Sequence, residues 1–188
     1  MLRSSLERSL IEHCSPVLAG LKAANLLSYV CEDLREVEGF LQKEGRELAE
    51  KGVALAILRK KENRLLLYVY REELLKALLE RPAIREFLEG YGYKESSIAY
   101  SLRRLGERLG RKEEFPHEIG VFLDYPLGDV KGFIENQGRN CKCTGCWKVY
   151  CDECEAKRTF QKFEQCRQFY LMRFLAGCNV VQLAAGGL

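Results

Sequence analysis

Two apolar runs decide the fold, Val53-Ala54-Leu55-Ala56-Ile57-Leu58 and Leu65-Leu66-Leu67-Tyr68-Val69-Tyr70, and the polar segment Lys60-Lys61-Glu62-Asn63 lies between them. Short apolar runs that are joined by a polar turn predict a β-hairpin, here at about residues 53–70, with at least one buried face. The alternative is an all-helical bundle in which Leu65 begins the next helix.

The segments on both sides of this hairpin carry apolar residues at helical spacing. Pro16 should end the first helix, which makes His13-Cys14-Ser15-Pro16 its exit loop. Residues 115–123 are compatible with either a strand or a helical turn. We expect an α+β fold, a single mostly helical domain over residues 1–188, with helices at about 2–12, 32–51, 72–80, 82–89, 96–109, 127–136 and 155–175 and a short strand at 147–150.

Composition narrows the class of protein. The chain has 188 residues, 47% of them hydrophobic, which is ordinary for a globular protein with one buried core. No signal sequence and no apolar run near the ~18 residues of a membrane span is visible, so we expect a cytoplasmic protein without a membrane partner. The net charge of +3 is spread among interleaved acids, and no nucleic-acid partner is expected.

A cysteine-rich loop near residues 140–154 holds five of the nine cysteines. In a reducing cytoplasm such clusters favour metal binding or catalytic thiols over disulfides. Cys143-Thr144-Gly145-Cys146 is a Cys-x-x-Cys pair whose spacing suits one soft metal ion or a small redox ring, and Cys141 adds a third thiolate. Cys151 follows too closely for a standard zinc ribbon. Cys146, Cys151 and Cys154 together copy the ligand spacing of plant-type two-iron ferredoxins, with Cys166 as a conceivable fourth ligand.

Other residue types suggest further chemistry. The only two histidines are His13 and His117, and histidine is both a common metal ligand and the usual general base. Cys14, in a turn beside His13, is a candidate nucleophile with a lowered pKa. Tyr125 and Trp147 either pack the loop or form an aromatic wall for a planar cofactor such as haem or flavin. Covalent haem attachment is excluded, because Trp147 stands where a Cys-x-x-Cys-His motif needs histidine.

Three blocks together resemble a bacterial family, domain of unknown function 3793, found largely in anaerobic Gram-positive bacteria. The blocks are His13-Cys14-Ser15-Pro16-Val17-Leu18-Ala19-Gly20-Leu21-Lys22, Phe115-Pro116-His117-Glu118-Ile119-Gly120-Val121-Phe122-Leu123-Asp124-Tyr125-Pro126, and Asp129-Val130-Lys131-Gly132-Phe133-Ile134-Glu135-Asn136 running into Cys143-Thr144-Gly145-Cys146-Trp147-Lys148-Val149-Tyr150. Asp124 stands where this family usually has glycine, and Cys151 and Cys154 look like additions of this chain. The resemblance implies one group of site residues: His13, Cys14, Lys22, His117, Glu118, Tyr125, Cys143, Cys146 and Cys166.

These observations lead to two hypotheses of function. The first is a protein that binds a transition metal (zinc or iron) or a metal-containing, haem-like cofactor, with Cys141, Cys143, Cys146 and His13 as metal ligands and Lys22, Tyr125 and Trp147 around the cofactor. The second is a thiol-dependent reductase or transferase that acts on a small molecule, with Cys14 or the Cys143/Cys146 pair as its reactive group and His117 or Glu118 in acid–base chemistry. A composite site requires Cys14, His117-Glu118 and the Cys143-Thr144-Gly145-Cys146 loop to converge in space; without convergence only the local cysteine loop remains a candidate.

Overall fold

The protein is described by a computed structural model, in which residues 5–110 and 115–184 are described. Its helices and strands follow one another as α1 (Ser5–Leu18), β1 (Ala24–Val30), α2 (Leu34–Gln42), α3 (Glu44–Glu50), β2 (Val53–Lys61), β3 (Arg64–Arg71), α4 (Glu72–Leu79), α5 (Pro82–Glu89), α6 (Ile98–Gly110), α7 (Ile119–Phe122), α8 (Leu127–Glu135), β4 (Cys143–Thr144), β5 (Lys148–Val149), α9 (Glu153–Leu175) and α10 (Val180–Leu183).

The predicted α+β class and the hairpin are confirmed. β2 and β3 pair antiparallel around the turn at Glu62, which adopts a positive φ of 54°. The sheet has a third strand that the sequence analysis did not predict: β1 pairs antiparallel with β3, with Ala24 opposite Tyr70, so the strand order is β1-β3-β2. β1 is therefore an edge strand, and β3 is central.

The sheet is covered by helices on both faces. Alternate residues of β3 enter different cores: Leu65, Leu67 and Val69 pack with α1, α2, α3, α9 and α10, whereas Leu66 and Tyr68 pack with α4 to α8. This alternation follows from the two-residue period of a strand. A third, small cluster centres on Trp147 and Val149 beneath the cysteine-rich loop, where β4 and β5 form a two-stranded hairpin. The short strand expected at 147–150 is thus present.

Two expectations about helices need correction. The first helix runs through Pro16 to Leu18, so that His13, Cys14 and Ser15 are helical and do not form an exit loop. Proline removes one helical hydrogen bond. Burial of Val17 and Leu18 offsets that loss, and Ser15 Oγ donates to the Ile11 carbonyl. The predicted start of this helix at residue 2 lies outside the described residues.

The second correction concerns residues 32–51, which form two helices rather than one. The helix is interrupted at Lys43, between α2 and α3, and Gly45 lies in the first turn of α3. Glycine is a weak helix former, costing about 1 kcal/mol in a helix interior relative to alanine. Residues 115–123, which the sequence left open between a strand and a helical turn, contain the short helix α7. Among the described residues, no helix has the length and apolarity to cross a membrane.

Candidate functional site

Lys22 is the centre of the candidate site. It lies between α1 and β1, and its side chain is buried at 6% exposure. Its Nζ donates to Asn25 Oδ1 at 2.9 Å and lies 5.1 Å from the centre of the Tyr125 ring and 6.0 Å from that of Phe163. Asn25 in turn donates through Nδ2 to the His13 carbonyl at 2.7 Å. Residues of the first sequence block and of β1 thus fix the position of the Lys22 side chain.

The electrostatic state of Lys22 is unusual for a lysine. Burial lowers its pKa to about 8, and the nearby Cys146, Cys14 and Asp124 oppose that shift by favouring the charged form. Within residues 5–110 and 115–184, no carboxylate lies within ion-pair distance of its Nζ. Its hydrogen-bond acceptor is a neutral amide oxygen. A buried ammonium normally has an anionic partner, so this one is open to a ligand.

Lys22 lines an open cavity of about 300 Å³, here called the lysine cavity. Three kinds of group surround the lysine: aromatic rings, the Cys146 thiol, and polar side chains of α1 and α9. At the α9 side, Arg167 is already paired with Glu164. The residues that line the lysine cavity and matter below are His13, Lys22, Asn25, Tyr125, Cys146, Phe160 and Phe163.

Asp124 supports the wall that carries Tyr125. Its backbone has φ 56°, in the left-handed region that favours glycine. Asp124 Oδ2 accepts a hydrogen bond from Ala23 N at 2.9 Å, directly beside Lys22. Aspartate tolerates this backbone conformation better than most residues, and its carboxylate ties the second sequence block to the residue that follows the first.

The cysteine-rich loop is anchored by Asp129, a residue the sequence analysis did not single out. Asp129 is buried at 3% exposure, accepts from Trp147 Nε1 at 2.7 Å through Oδ2, and accepts from the amides of Tyr150 and Cys151 at 2.8 Å through Oδ1. The signal was available, because Asp129 stands four residues before Phe133 on the predicted inner face of a helix, where a polar residue needs buried donors.

The Trp147 ring packs against two other aromatic rings beside the cysteine-rich loop. It stacks on Tyr125 at a centroid distance of 5.2 Å and meets Phe160 edge-on at 4.5 Å. A Cβ at Gly145 would collide with the Phe160 ring, so the loop backbone can approach α9 this closely only with glycine at that position. Trp147 therefore contacts both Tyr125 and Phe160, which is the loop packing expected as one of two alternatives, and a planar cofactor at these rings stays a prediction.

The loop cysteines point to different surroundings. Cys146 is exposed and lines the lysine cavity, whereas Cys143 packs in the small Trp147 cluster. Cys141 Sγ lies 3.5 Å from Thr144 Oγ1, and Cys151 Sγ lies against Gly128 of α8. Among the described residues, which include all nine cysteines, no group of three or more His, Cys, Asp or Glu side chains is arranged to hold a metal ion.

Three thiols belong to the hydrophobic core or its edge. Cys14 is fully buried, its Sγ lies 4.0 Å from Asn25 Nδ2, and burial raises its pKa to about 12. Cys166 is buried in the same core, and burial raises its pKa to about 11. Cys31 is buried near the end of β1. A nucleophilic cysteine needs a low pKa and access, and Cys14 has neither.

Cys146 is accessible but not strongly activated. Partial burial raises the pKa of its thiol, and the charge of Lys22 opposes that shift. The free protein therefore presents mainly a neutral thiol beside an ammonium at neutral pH.

His117 and Glu118 are adjacent in sequence but face different parts of the molecule. The His117 ring lies 5.6 Å from Phe115 and 5.1 Å from Phe133 and lines a second cavity of about 330 Å³, here called the apolar cavity. Glu118 is fully buried, pairs with Arg108 and accepts from the Tyr93 hydroxyl at 3.2 Å. This geometry gives Glu118 a structural role in the core.

The three sequence blocks therefore meet, but in two cavities. His13, Lys22, Tyr125 and Cys146 surround the lysine cavity, whereas His117 lies in the apolar cavity beside Thr144 and Gly145. Cys14 and Glu118 are interior residues. Asn25, Phe160 and Phe163 were not anticipated. Only Asn25 carried a signal, as a polar residue inside the apolar run of β1.

Comparison with known proteins gives one match. A family model with the description "Protein of unknown function (DUF3793)" matches residues 10–184. No curated protein and no solved structure matches the chain significantly.

Proposed function

The chain belongs to the DUF3793 family of proteins of unknown function, and we propose that it binds a small anionic organic molecule in the lysine cavity. One observation carries the proposal: the Lys22 ammonium is buried against an open cavity and, among the described residues, has no carboxylate partner. A carboxylate or phosphate group that enters the cavity supplies that partner and offsets the cost of burying the charge.

The rest of the cavity defines the organic part of the ligand. Tyr125, Phe160 and Phe163 present ring faces and edges near Lys22, and a cavity of about 300 Å³ is at the small end for ligand sites. Aromatic walls favour a planar or apolar group. The ligand class is therefore a small aromatic or apolar molecule with one negatively charged group, held by Lys22 at that group and by Tyr125 at its flat part.

Thiol chemistry at Cys146 is a second candidate function, favoured by the location of Cys146 in the wall of the same cavity. In this mechanism Sγ adds to the carbonyl carbon of the bound molecule, and the C=O π electron pair moves to the oxygen. The thiol proton passes to the neutral form of the Lys22 amine and from there to that oxygen. A lysine with a pKa of about 8 has a usable neutral fraction near neutral pH. Of the reactive thiols first considered, this mechanism keeps Cys146 and replaces Cys14.

The metal hypothesis stays a prediction. Cys143 packs in the small Trp147 cluster, whereas Cys146 lines the lysine cavity. Metal analysis after anaerobic purification tests this directly. One equivalent of zinc or iron, lost on Cys143→Ser but kept on Cys154→Ser, would establish a metal centre in the loop. A cytoplasmic location likewise stays a prediction.

The anion proposal is tested by thermal unfolding with phenyl phosphate and benzoate as probes and benzyl alcohol as the neutral control. At ten times its Kd, a probe stabilises the folded protein by about 1.4 kcal/mol, or roughly 3 to 6 °C in Tm. We expect Lys22→Met to lose the stabilisation, and Lys131→Met, which removes an exposed charge on α8, to keep it.

Labelling of Cys146 locates the bound probe. A molecule in the lysine cavity should slow alkylation of Cys146 by iodoacetamide and leave exposed Cys154 unaffected. The proposal is wrong if Lys22→Met keeps the full response to phenyl phosphate, or if benzyl alcohol stabilises the protein as much as benzoate does.

A further inference from the structure

The apolar cavity is a second cavity that the function proposed for the lysine cavity leaves unexplained. Its walls come from β1, α7, α8 and the cysteine-rich loop, and its apolar lining includes Leu26, Ile119, Leu123, Val130 and Phe133. At about 330 Å³ it is large enough for a small organic molecule and is lined mainly by apolar atoms. Apolar surface left around such a space favours an apolar occupant over water.

Two groups at this cavity can bind the acid group of a ligand, the Lys148 ammonium and the His117 ring. Lys148 is half-buried, donates from Nζ to the Gly138 carbonyl at 2.7 Å, and lies 5.9 Å from the centre of the Phe133 ring. No carboxylate lies within ion-pair distance of it in the part of the chain that the structure describes. Half-buried His117 adds a second group that can donate a hydrogen bond.

Asp129 lines the cavity too, but it does not balance these groups. Both of its carboxylate oxygens are occupied, Oδ2 by Trp147 Nε1 and Oδ1 by the amides of Tyr150 and Cys151. Asp129 therefore holds the wall in place, and the charge of Lys148 remains available to a ligand.

We propose that the apolar cavity is a second ligand site, which binds a small apolar organic acid with its chain or ring between Leu26 and Phe133 and its acid group at Lys148 and His117. The site does not depend on the lysine cavity, because Tyr125 is the one described residue that lines both. The proposal therefore stands or falls separately from the anion site at Lys22.

Trp147 provides the measurement. It is the only tryptophan in the chain, it is buried at 9% exposure, and its ring lines the apolar cavity. The probe is octanoate, with octanol as the control for the acid group. Octanoate should change Trp147 emission in a saturable way, and octanol should bind at least ten-fold more weakly, because it lacks the charge that Lys148 and His117 recognise.

Variants separate the contributions. Lys148→Met and His117→Ala should each weaken octanoate several-fold and leave octanol nearly unchanged. Leu123→Phe fills the cavity and should abolish the response to both probes, whereas Leu74→Phe, at an exposed leucine of α4 that lines neither cavity, should leave it intact. Lys148→Met alters a partly exposed side chain, so it stays informative even where Leu123→Phe fails to fold.

Three results overturn the proposal. The first is an emission that octanoate leaves unchanged up to its solubility limit. The second is octanol binding as tightly as octanoate, which removes the acid from the ligand class. The third is a response that Lys22→Met abolishes and Lys148→Met leaves intact, which places the probe in the lysine cavity.

Discussion

The two cavities differ in chemistry although they are similar in size, about 300 Å³ for the lysine cavity and about 330 Å³ for the apolar cavity. Adjacent residues of the edge strand β1 supply both, Asn25 to the first and Leu26 to the second. Adjacent residues of the cysteine-rich loop also line both cavities, Cys146 the lysine cavity and Gly145 the apolar cavity. Because successive side chains of a strand point to opposite faces, one short segment can present a polar wall and an apolar wall at once.

The largest expected effect concerns Asp129, which anchors the cysteine-rich loop beside both cavities. Asp129→Ala leaves the Trp147 indole N–H and two backbone amides without their acceptor, and each unsatisfied buried donor costs about 1–3 kcal/mol. We expect a loss of about 4 kcal/mol in the free energy of unfolding, measured by urea denaturation, and a red shift of Trp147 emission as its ring becomes wetter.

Asp129→Asn is the matched control. It keeps the size of the side chain and one acceptor oxygen, so it should cost about half as much. Equal and small losses in both variants would show that the loop is held by packing of Trp147 on Tyr125 and Phe160 instead, and that the two cavities can change independently.

The next prediction tests the buried charge of Lys22 in the lysine cavity through the pH dependence of stability. The pKa of Lys22 is lowered to about 8 in the folded protein from 10.5, so the unfolded chain binds more protons between these values and stability rises with pH there. Below about pH 8 the buried charge costs the folded state about 3 kcal/mol. Lys22→Met should therefore stabilise the ligand-free protein by up to this amount at pH 7.

The pH dependence is the decisive part of this measurement. The advantage of Lys22→Met over the native chain should shrink as pH rises from 8 to 10.5, in urea denaturation at several pH values. Lys148→Met, in the wall of the apolar cavity, should cost about 1 kcal/mol, because it removes the hydrogen bond from Lys148 to the Gly138 carbonyl. A Lys22→Met variant that is less stable than the native chain at pH 7 would show that Lys22 is not a buried, partnerless charge.

The outcome of the fold predictions depends on how local the signals are. The hairpin of β2 and β3 was predictable because two adjacent apolar runs and their turn contain the whole signal. β1 was not, since its place in the sheet depends on pairing with β3 about 40 residues later. Local rules predicted that the first helix ends before Pro16. The helix continues to Leu18 because burial of Val17 and Leu18 offsets the cost of the proline.

Prediction of the candidate site is limited in the same way, because its residues are far apart in the sequence. Resemblance to a family grouped Lys22 with Tyr125 and Cys146, and the structure places them around one cavity, yet spacing alone gave no reason to connect residues more than 100 positions apart. Asp129 is a polar residue on the inner face of a predicted helix, but its donors lie 18 to 22 residues later and meet it only after folding. Cys14 looked reactive because the sequence cannot show that its thiol is buried.

The smallest expected effect compares thiols, and it tests whether the lysine cavity activates Cys146. Folded protein treated with iodoacetamide should be alkylated fastest at exposed Cys154, more slowly at Cys146, and only after unfolding at Cys14, whose pKa burial raises to about 12. Peptide mass spectrometry measures the three rates in one sample. This order follows from access and from the desolvation that raises the pKa of Cys146.

Removal of Lys22 then isolates its contribution to the thiol. The Lys22 charge lowers the pKa of Cys146, so Lys22→Met should slow alkylation of Cys146 roughly three-fold below pH 8, where the lysine is charged, and have less effect above it. Cys154 in the same variant serves as the internal reference. A Cys146 that instead reacts faster than Cys154 near neutral pH in the native chain would show an activated thiolate, and would move thiol-dependent catalysis ahead of anion binding as the function of the lysine cavity.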